Sequence, residues 1–277
     1  MKLTVLVDNN TIIDRYFLGE PGVSYLIEDV GKTVLFDTGY SDIFIQNARR
    51  MDIDLLAVDT LVFSHGHNDH TWGVAELIRL RSEGRPEKKA CEKPDLIAHP
   101  RAFEPKIING DSVGSLFPQE TLSRHFQLRL TDRPLWLTDQ LVFLGQIERT
   151  HDFEAQQPVG RCIGATEQDD YLVDDSALAY KAAGGLVIIT GCSHAGICNI
   201  IEQARKVCRE DRILDIVGGF HLLKPSQRQL EGTVEYFKTL RPARVHACHC
   251  TDFVSKVKLS EVASLEEVGV GMTLRYE

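Results

Sequence analysis

The residues best suited to chemistry lie in Ser64-His65-Gly66-His67-Asn68-Asp69-His70, where three histidines and an aspartate fall within six residues. Imidazole and carboxylate are the donors of zinc and related divalent metals, and with an open coordination position they support hydrolysis by an activated water. A His-x-His pair on extended chain presents His65 and His67 on one side, while Asp69 and His70, one turn further on, can face a second ion. A polar turn is the competing reading, but four such groups crowded together gain little without a cation to pair with.

Such a cluster needs elements to hold it. The apolar run Thr60 to Phe63 reads as the strand that delivers it, and Thr71 to Arg81 as the helix that follows. Upstream, Met1 to Asp8 reads as a first strand and not a signal peptide. Val23 to Ile27 and Thr33 to Phe36 form a hairpin, ending in Asp37-Thr38-Gly39 and a helix from Ser41. Three later strands run into histidines: Gly185 to Thr190 into Gly191-Cys192-Ser193-His194, Ile213 to Val217 into Gly218-Gly219-Phe220-His221, and Ala243 to Ala247 into Cys248-His249-Cys250. Open α/β sheets place ligands at the carboxyl ends of strands, so His65, His67, His70, His194, His221 and His249 are expected to converge.

The remaining candidates divide by context. His194 and His249 read as metal ligands by that convergence. His221 is open between ligand, substrate contact and core histidine, and stands with Asp69 as a catalytic candidate. Cys192 reads as a small buried residue in preference to a ligand, with Cys248 and Cys250 packing beneath His249. Asp37 is either a turn former or, preferred here, a carboxylate orienting a metal-bound histidine. His151 is ambiguous between ligand and structural residue, whereas His99, His125 and His246 default to surface or core. The turn Ser193, Ala195 and Gly196, opening the helical pattern Ile197 to Cys208, is a candidate phosphate seat.

Composition sets broader bounds. A chain of 277 residues, 43% hydrophobic, can bury a large core, and one domain over 1–277 is expected. Glu83 to Pro94 reads as a charged connector, and residues 100–126 as an insertion or lid. A net charge of -9 without a long basic run argues against nucleic acid and membrane surfaces, leaving a small molecule as partner. Seven cysteines without framework spacing indicate reduced thiols and a cytoplasmic location.

The segments Asp8-Asn9-Asn10-Thr11, Ser64 to Thr71, Ile189 to Ile197, Gly218 to Leu222 and His249-Cys250-Thr251, with Asp37-Thr38-Gly39, resemble one branch of the metallo-β-lactamase superfamily. That branch is named after the archaeal 7,8-dihydropterin-6-ylmethyl-4-(β-D-ribofuranosyl)aminobenzene 5′-phosphate synthase and also holds bacterial metal-dependent hydrolases. The resemblance spans the chain apart from roughly residues 100 to 140. It implies an α/β fold of four αββα layers and a binuclear site in a cleft at one sheet edge. His65, His67 and His194 would hold the first metal and Asp69, His70 and His249 the second, with zinc preferred over manganese or iron. Many members carry a bridging aspartate where this chain has Gly191-Cys192. The presence of His67, where oxygen-reducing di-iron relatives have glutamate, implies hydrolysis or group transfer. A phosphate-bearing, pterin- or nucleotide-like substrate is the leading expectation. A lactone or thioester hydrolase and a non-catalytic metal sensor are the alternatives.

Overall fold

The computed structural model describes residues 1–84, 93–164 and 166–277. In the first half the chain forms β1 (Lys2–Val7), β2 (Ser24–Asp29), β3 (Lys32–Phe36), α1 (Ile43–Arg50), β4 (Thr60–Val62), α2 (Asn68–Thr71), α3 (Val74–Glu83), β5 (Asp95–Ala98), β6 (Lys106–Ile108), β7 (Asp111–Ser112), α4 (Gln119–Leu122) and β8 (Gln127–Leu130). It continues with β9 (Leu135–Trp136), β10 (Leu141–Phe143), β11 (Gly160–Ile163), β12 (Glu167–Asp170), β13 (Ala177–Ala182), β14 (Gly185–Thr190), α5 (Ile197–Cys208), β15 (Ile213–Gly219), α6 (Gln227–Leu240), β16 (Arg244–Cys248), α7 (Phe253–Ser260) and β17 (Thr273–Arg275). Most of the connector expected at Glu83 to Pro94 lies outside the described residues, although Glu83 itself closes α3.

Strand alternation builds the layers, because successive side chains point to opposite faces. From the first sheet, ordered β17-β1-β2-β3-β4-β5-β8, Tyr25, Ile27, Val34, Phe36, Val62 and Ile97 point one way. They meet Phe143, Leu178, Val187, Ile189 and Val217 from the second, ordered β16-β15-β14-β13-β10-β9. The alternate residues Leu26, Leu35, Leu61, Phe63 and Leu96 pack outward with Phe44 of α1 and Val74 and Leu77 of α3. Leu186, Ile188 and Ile216 do the same on the other side with Ile197, Ile200, Ile201 and Ala204 of α5 and Phe237 of α6. Three apolar cores between four layers are the expected αββα sandwich.

Both sheets carry parallel strands running to one edge, β3-β4-β5-β8 in one and β14-β15-β16 in the other. The carboxyl ends of β3, β4, β14, β15 and β16 carry the candidate residues. The segment 100–126, expected as an insertion or lid, contributes strands to a further sheet. Its β6 and β7 join β11 and β12 from residues 160–170 in a third sheet, ordered β12-β11-β6-β7. β12 reads Glu167-Gln168-Asp169-Asp170, with no apolar alternation to reveal a strand.

Candidate metal centre

Four strand ends turn through residues with left-handed backbone. Asp37 after β3 has φ +58°, Ser193 after β14 +64°, His221 after β15 +52° and His249 after β16 +50°. Such conformations are uncommon outside glycine and cluster at functional sites, where packing holds them. The turns are also tight. A Cβ on Gly66 would lie 2.0 Å from the Ala102 carbonyl oxygen, and one on Gly191 would lie 2.2 Å from Ser64 Oγ.

Two donor groups result. Asp69, His70, Cys192 and His249 form one, and His65, Cys192 and His194 the other, each with ligand atoms within 4.8 Å of one another. His67 stands beside the second group, its ring centroid 4.7 Å from His65 and 4.8 Å from His194, although its nitrogens fall outside that set. Cys192, read from sequence as packing, is buried but belongs to both groups. Its Sγ lies 3.2 Å from His70 Nε2 and 3.2 Å from His249 Nε2. The turn at Gly191 and Ser193 aims that sulfur, which residue type and spacing do not reveal.

Asp37 sets the histidine tautomers. Its Oδ1 accepts from the Ser64 amide at 2.7 Å, and its Oδ2 accepts from Ser64 Oγ and His70 Nδ1, both at 2.7 Å. With the Ser64 hydroxyl proton committed to Asp37, Ser64 Oγ accepts from His65 Nδ1 at 2.9 Å. One carboxylate thereby commits Nδ1 of both His65 and His70 and turns Nε2 of each toward the donor groups. Asn9 holds His249, with Oδ1 3.3 Å from Nδ1 and Nδ2 donating to the His249 carbonyl, while Asp8 accepts from the His249 amide.

Burial and charge fit this set to cations. His65 Nε2 and both ring nitrogens of His194 are buried without hydrogen-bond partners, a costly state that a coordinated metal would relieve. Burial holds His65 and His194 well below the ordinary histidine range and pulls His67 to about 4, so all three are neutral donors at pH 7. Burial alone would depress His70, but Asp69 and Asp37 outweigh it and hold it well above its ordinary value. Burial alone would raise Asp69, but His70 and His249 hold it well below the usual carboxylate range. The carboxylates therefore favour positive charge between Asp69 and His70.

Sequence reasoning missed Asp174 and Asp175. Asp174 accepts from the Gly66 amide at 2.9 Å, and Asp175 accepts from the Ala195 amide at 2.9 Å. Asp175 leaves Oδ1 without a partner, 4.0 Å from His65 Nδ1, and burial raises its carboxyl to about 7. The side-by-side carboxylates opening the apolar run at Ser176 were the only available sign.

Two sequence candidates are engaged elsewhere. His151 lies in neither donor group, and its ring packs against Phe153 and Tyr236 with centroids 5.1 and 5.2 Å away. The phosphate seat at Ser193, Ala195 and Gly196 is filled from within. Ser193 Oγ donates to the Gly219 carbonyl, Gly196 N–H to Ser193 O and Ala195 N–H to Asp175. Glu154 takes the next donors of the α5 N-terminus, Cys198 N–H at 3.2 Å and Asn199 N–H at 2.7 Å. His221 is brought to the cluster, its ring centroid 4.2 Å from that of His194.

Residues 18–106 match the model of the metallo-beta-lactamase superfamily. An uncharacterized protein of Methanocaldococcus jannaschii is 30% identical over 262 residues, 94% of each chain. The 7,8-dihydropterin-6-methyl-4-(beta-D-ribofuranosyl)-aminobenzene-5'-phosphate synthase of the same archaeon is 26% identical over 91% of this chain and 88% of its own. A crystal structure of a metal-dependent hydrolase of the beta-lactamase superfamily superposes with a TM-score of 0.83 at 28% identity, covering 100% of this chain and 99% of the other. The chain belongs to the metallo-beta-lactamase superfamily.

Proposed function

We propose that the protein is a hydrolase or group-transfer enzyme using two divalent metal ions, zinc by preference, on a small phosphate-bearing molecule of pterin- or nucleotide-like character. The observation that carries this reading is the pair of donor groups sharing Cys192. His65, His67 and His194 with Cys192 would hold one ion, and Asp69, His70 and His249 with Cys192 the other. Ions held there supply Lewis acidity, lowering the pKa of a bound water and neutralising charge that develops on the substrate.

The chain's own groups handle orientation and protons. Asp69 keeps 26% of its side chain exposed, so its carboxylate can orient a nucleophile by accepting a hydrogen bond. Burial would depress His221, but its hydrogen bond to Cys250 raises it above the ordinary range, which suits it to protonate a leaving oxygen. Asp37, Asn9 and Ser64 hold the imidazoles in the donor tautomer. The phosphate-bearing class rests on similarity to the synthase, since the α5 N-terminus is already satisfied.

Elemental analysis of purified protein, followed by turnover assays on phosphomonoesters, phosphodiesters, lactones and thioesters with and without chelator, tests the reading. Two metals per chain and chelator-sensitive cleavage of a phosphate ester are expected. Full turnover by metal-free protein overturns it, two metals with no turnover of any substrate favours a sensor, and activity confined to lactones or thioesters overturns the substrate class.

A further inference from the structure

Outside the two donor groups, a buried charge cluster joins the third sheet to the His65 turn. Lys106 of β6 is 2% exposed, and its Nζ lies 3.2 Å from Asp170 Oδ2 and 2.9 Å from Asp174 Oδ1. Ion pairs buried this deeply give back in attraction little more than they lose in hydration, so the geometry they impose matters more than the stability they add. Asp174 Oδ2 holds the Gly66 amide between His65 and His67, and Lys106 Cε lies 3.0 Å from where a Gly66 Cβ would be. The next residue, Asp175, holds the amide of Ala195, which follows His194. Two consecutive carboxylates thus grip histidine turns from opposite halves of the chain, and Lys106 anchors the first.

We propose that Lys106 is a positioning residue for the His65, His67 and His194 group, holding Asp174 so that the Asp174-Asp175 pair sets the spacing between the two histidine turns. The inference rests on the metal-binding reading above. It makes residues 100–126 a brace built into the site. An apolar residue at 106 takes from the buried Asp170 and Asp174 the cation that contacts them both, and their repulsion, only partly offset by the field of Arg149, draws Asp174 away from Gly66. A purely structural role would weaken both donor groups alike. A positioning role weakens one.

The test measures zinc affinity of the full chain by competition with a chromophoric chelator in two backgrounds. His249→Ala leaves the His65, His67 and His194 group, and His194→Ala leaves the other. Adding Lys106→Met is expected to weaken binding about 10- to 100-fold in the first background and to leave it unchanged in the second. Lys106→Arg, which keeps the cation, is expected to restore it. Equal weakening in both backgrounds, or none in the first, overturns the proposal. If Lys106→Met does not fold, Asp174→Asn keeps an acceptor for Gly66 and removes the charge that draws Lys106. It should weaken the first background in the same sense, and unchanged affinity overturns the proposal. Zinc binding by both backgrounds with no response at Lys106 removes this inference alone. No zinc binding by the unsubstituted chain removes the metal reading and this inference with it.

Discussion

Asp37→Asn exchanges one carboxylate oxygen for an amide and is expected to disarm both donor groups together. The asparagine carbonyl can still accept from the Ser64 amide, which leaves its NH2 facing Ser64 Oγ and His70 Nδ1, each 2.7 Å from the native Oδ2. His70 must then accept at Nδ1 and carry its proton on Nε2. Ser64, no longer able to donate to residue 37, turns its hydroxyl proton to His65 Nδ1, 2.9 Å away, and sends the His65 proton to Nε2 as well. Both lone pairs a metal needs are then blocked. Keeping the donor tautomers instead forfeits the hydrogen bonds that Ser64 Oγ and His70 Nδ1 donate to the carboxylate, about 1.5–3 kcal/mol each, which corresponds to about 10- to 100-fold in metal affinity. Zinc titration against a chelator, with imidazole nitrogen shifts by NMR to read the tautomers, measures this. A folded Asp37→Asn chain that binds two zinc ions with native affinity would refute the tautomer argument.

Other expectations follow from single observations. Burial raises the Glu154 carboxyl from its ordinary 4.5 to about 7, which corresponds to about 3 kcal/mol. The unfolded chain ionises first, so folding stability falls as pH rises from 4.5 to about 7 and stays lower above it. Denaturation of metal-free protein across that range should lose Glu154's share of this slope in Glu154→Gln and keep that of Asp175, whose carboxyl is also raised to about 7, and an unchanged slope counts against the assignment. Gly66→Ala places a Cβ 2.0 Å from Ala102 O and should cost about 3 kcal/mol or more; a native melting temperature contradicts the packing argument. Zinc at about 100 times its Kd should stabilise the native chain by about 2.7 kcal/mol, and chelator should reverse it. The same addition should stabilise a chain lacking both His194 and His249 much less, and equal stabilisation would place the metal elsewhere.

Much of the site was legible because its signals are local. His65 to His70 lie within six residues directly after a buried strand, and the strand-end positions of Asp37, His194, His221 and His249 follow from apolar runs that stop at polar turns. The αββα layering was readable from the resemblance, and the alternation of Tyr25, Ile27, Val34 and Phe36 against Leu26 and Leu35 shows how it forms. The β11–β12 pair was not, since Glu167 to Asp170 carry no apolar period and β11 is tied to the rest of its sheet through β6, far earlier in the chain. The phosphate seat failed for a related reason: a helix N-terminus does attract an anion, but Glu154 supplies one 44 and 45 residues before the amides it caps.

By itself the sequence determined the donor types and their strand-end placement, because residue chemistry and strand periodicity are local properties, while the fold came from the resemblance to a family. Only the tertiary structure decided that Cys192 faces both donor groups, that Asp37 sets two tautomers and that Asp174 reaches Gly66 across 108 residues. The Cys192 and Asp174 contacts cross from one sheet to the other, and they exist only once the sandwich has closed.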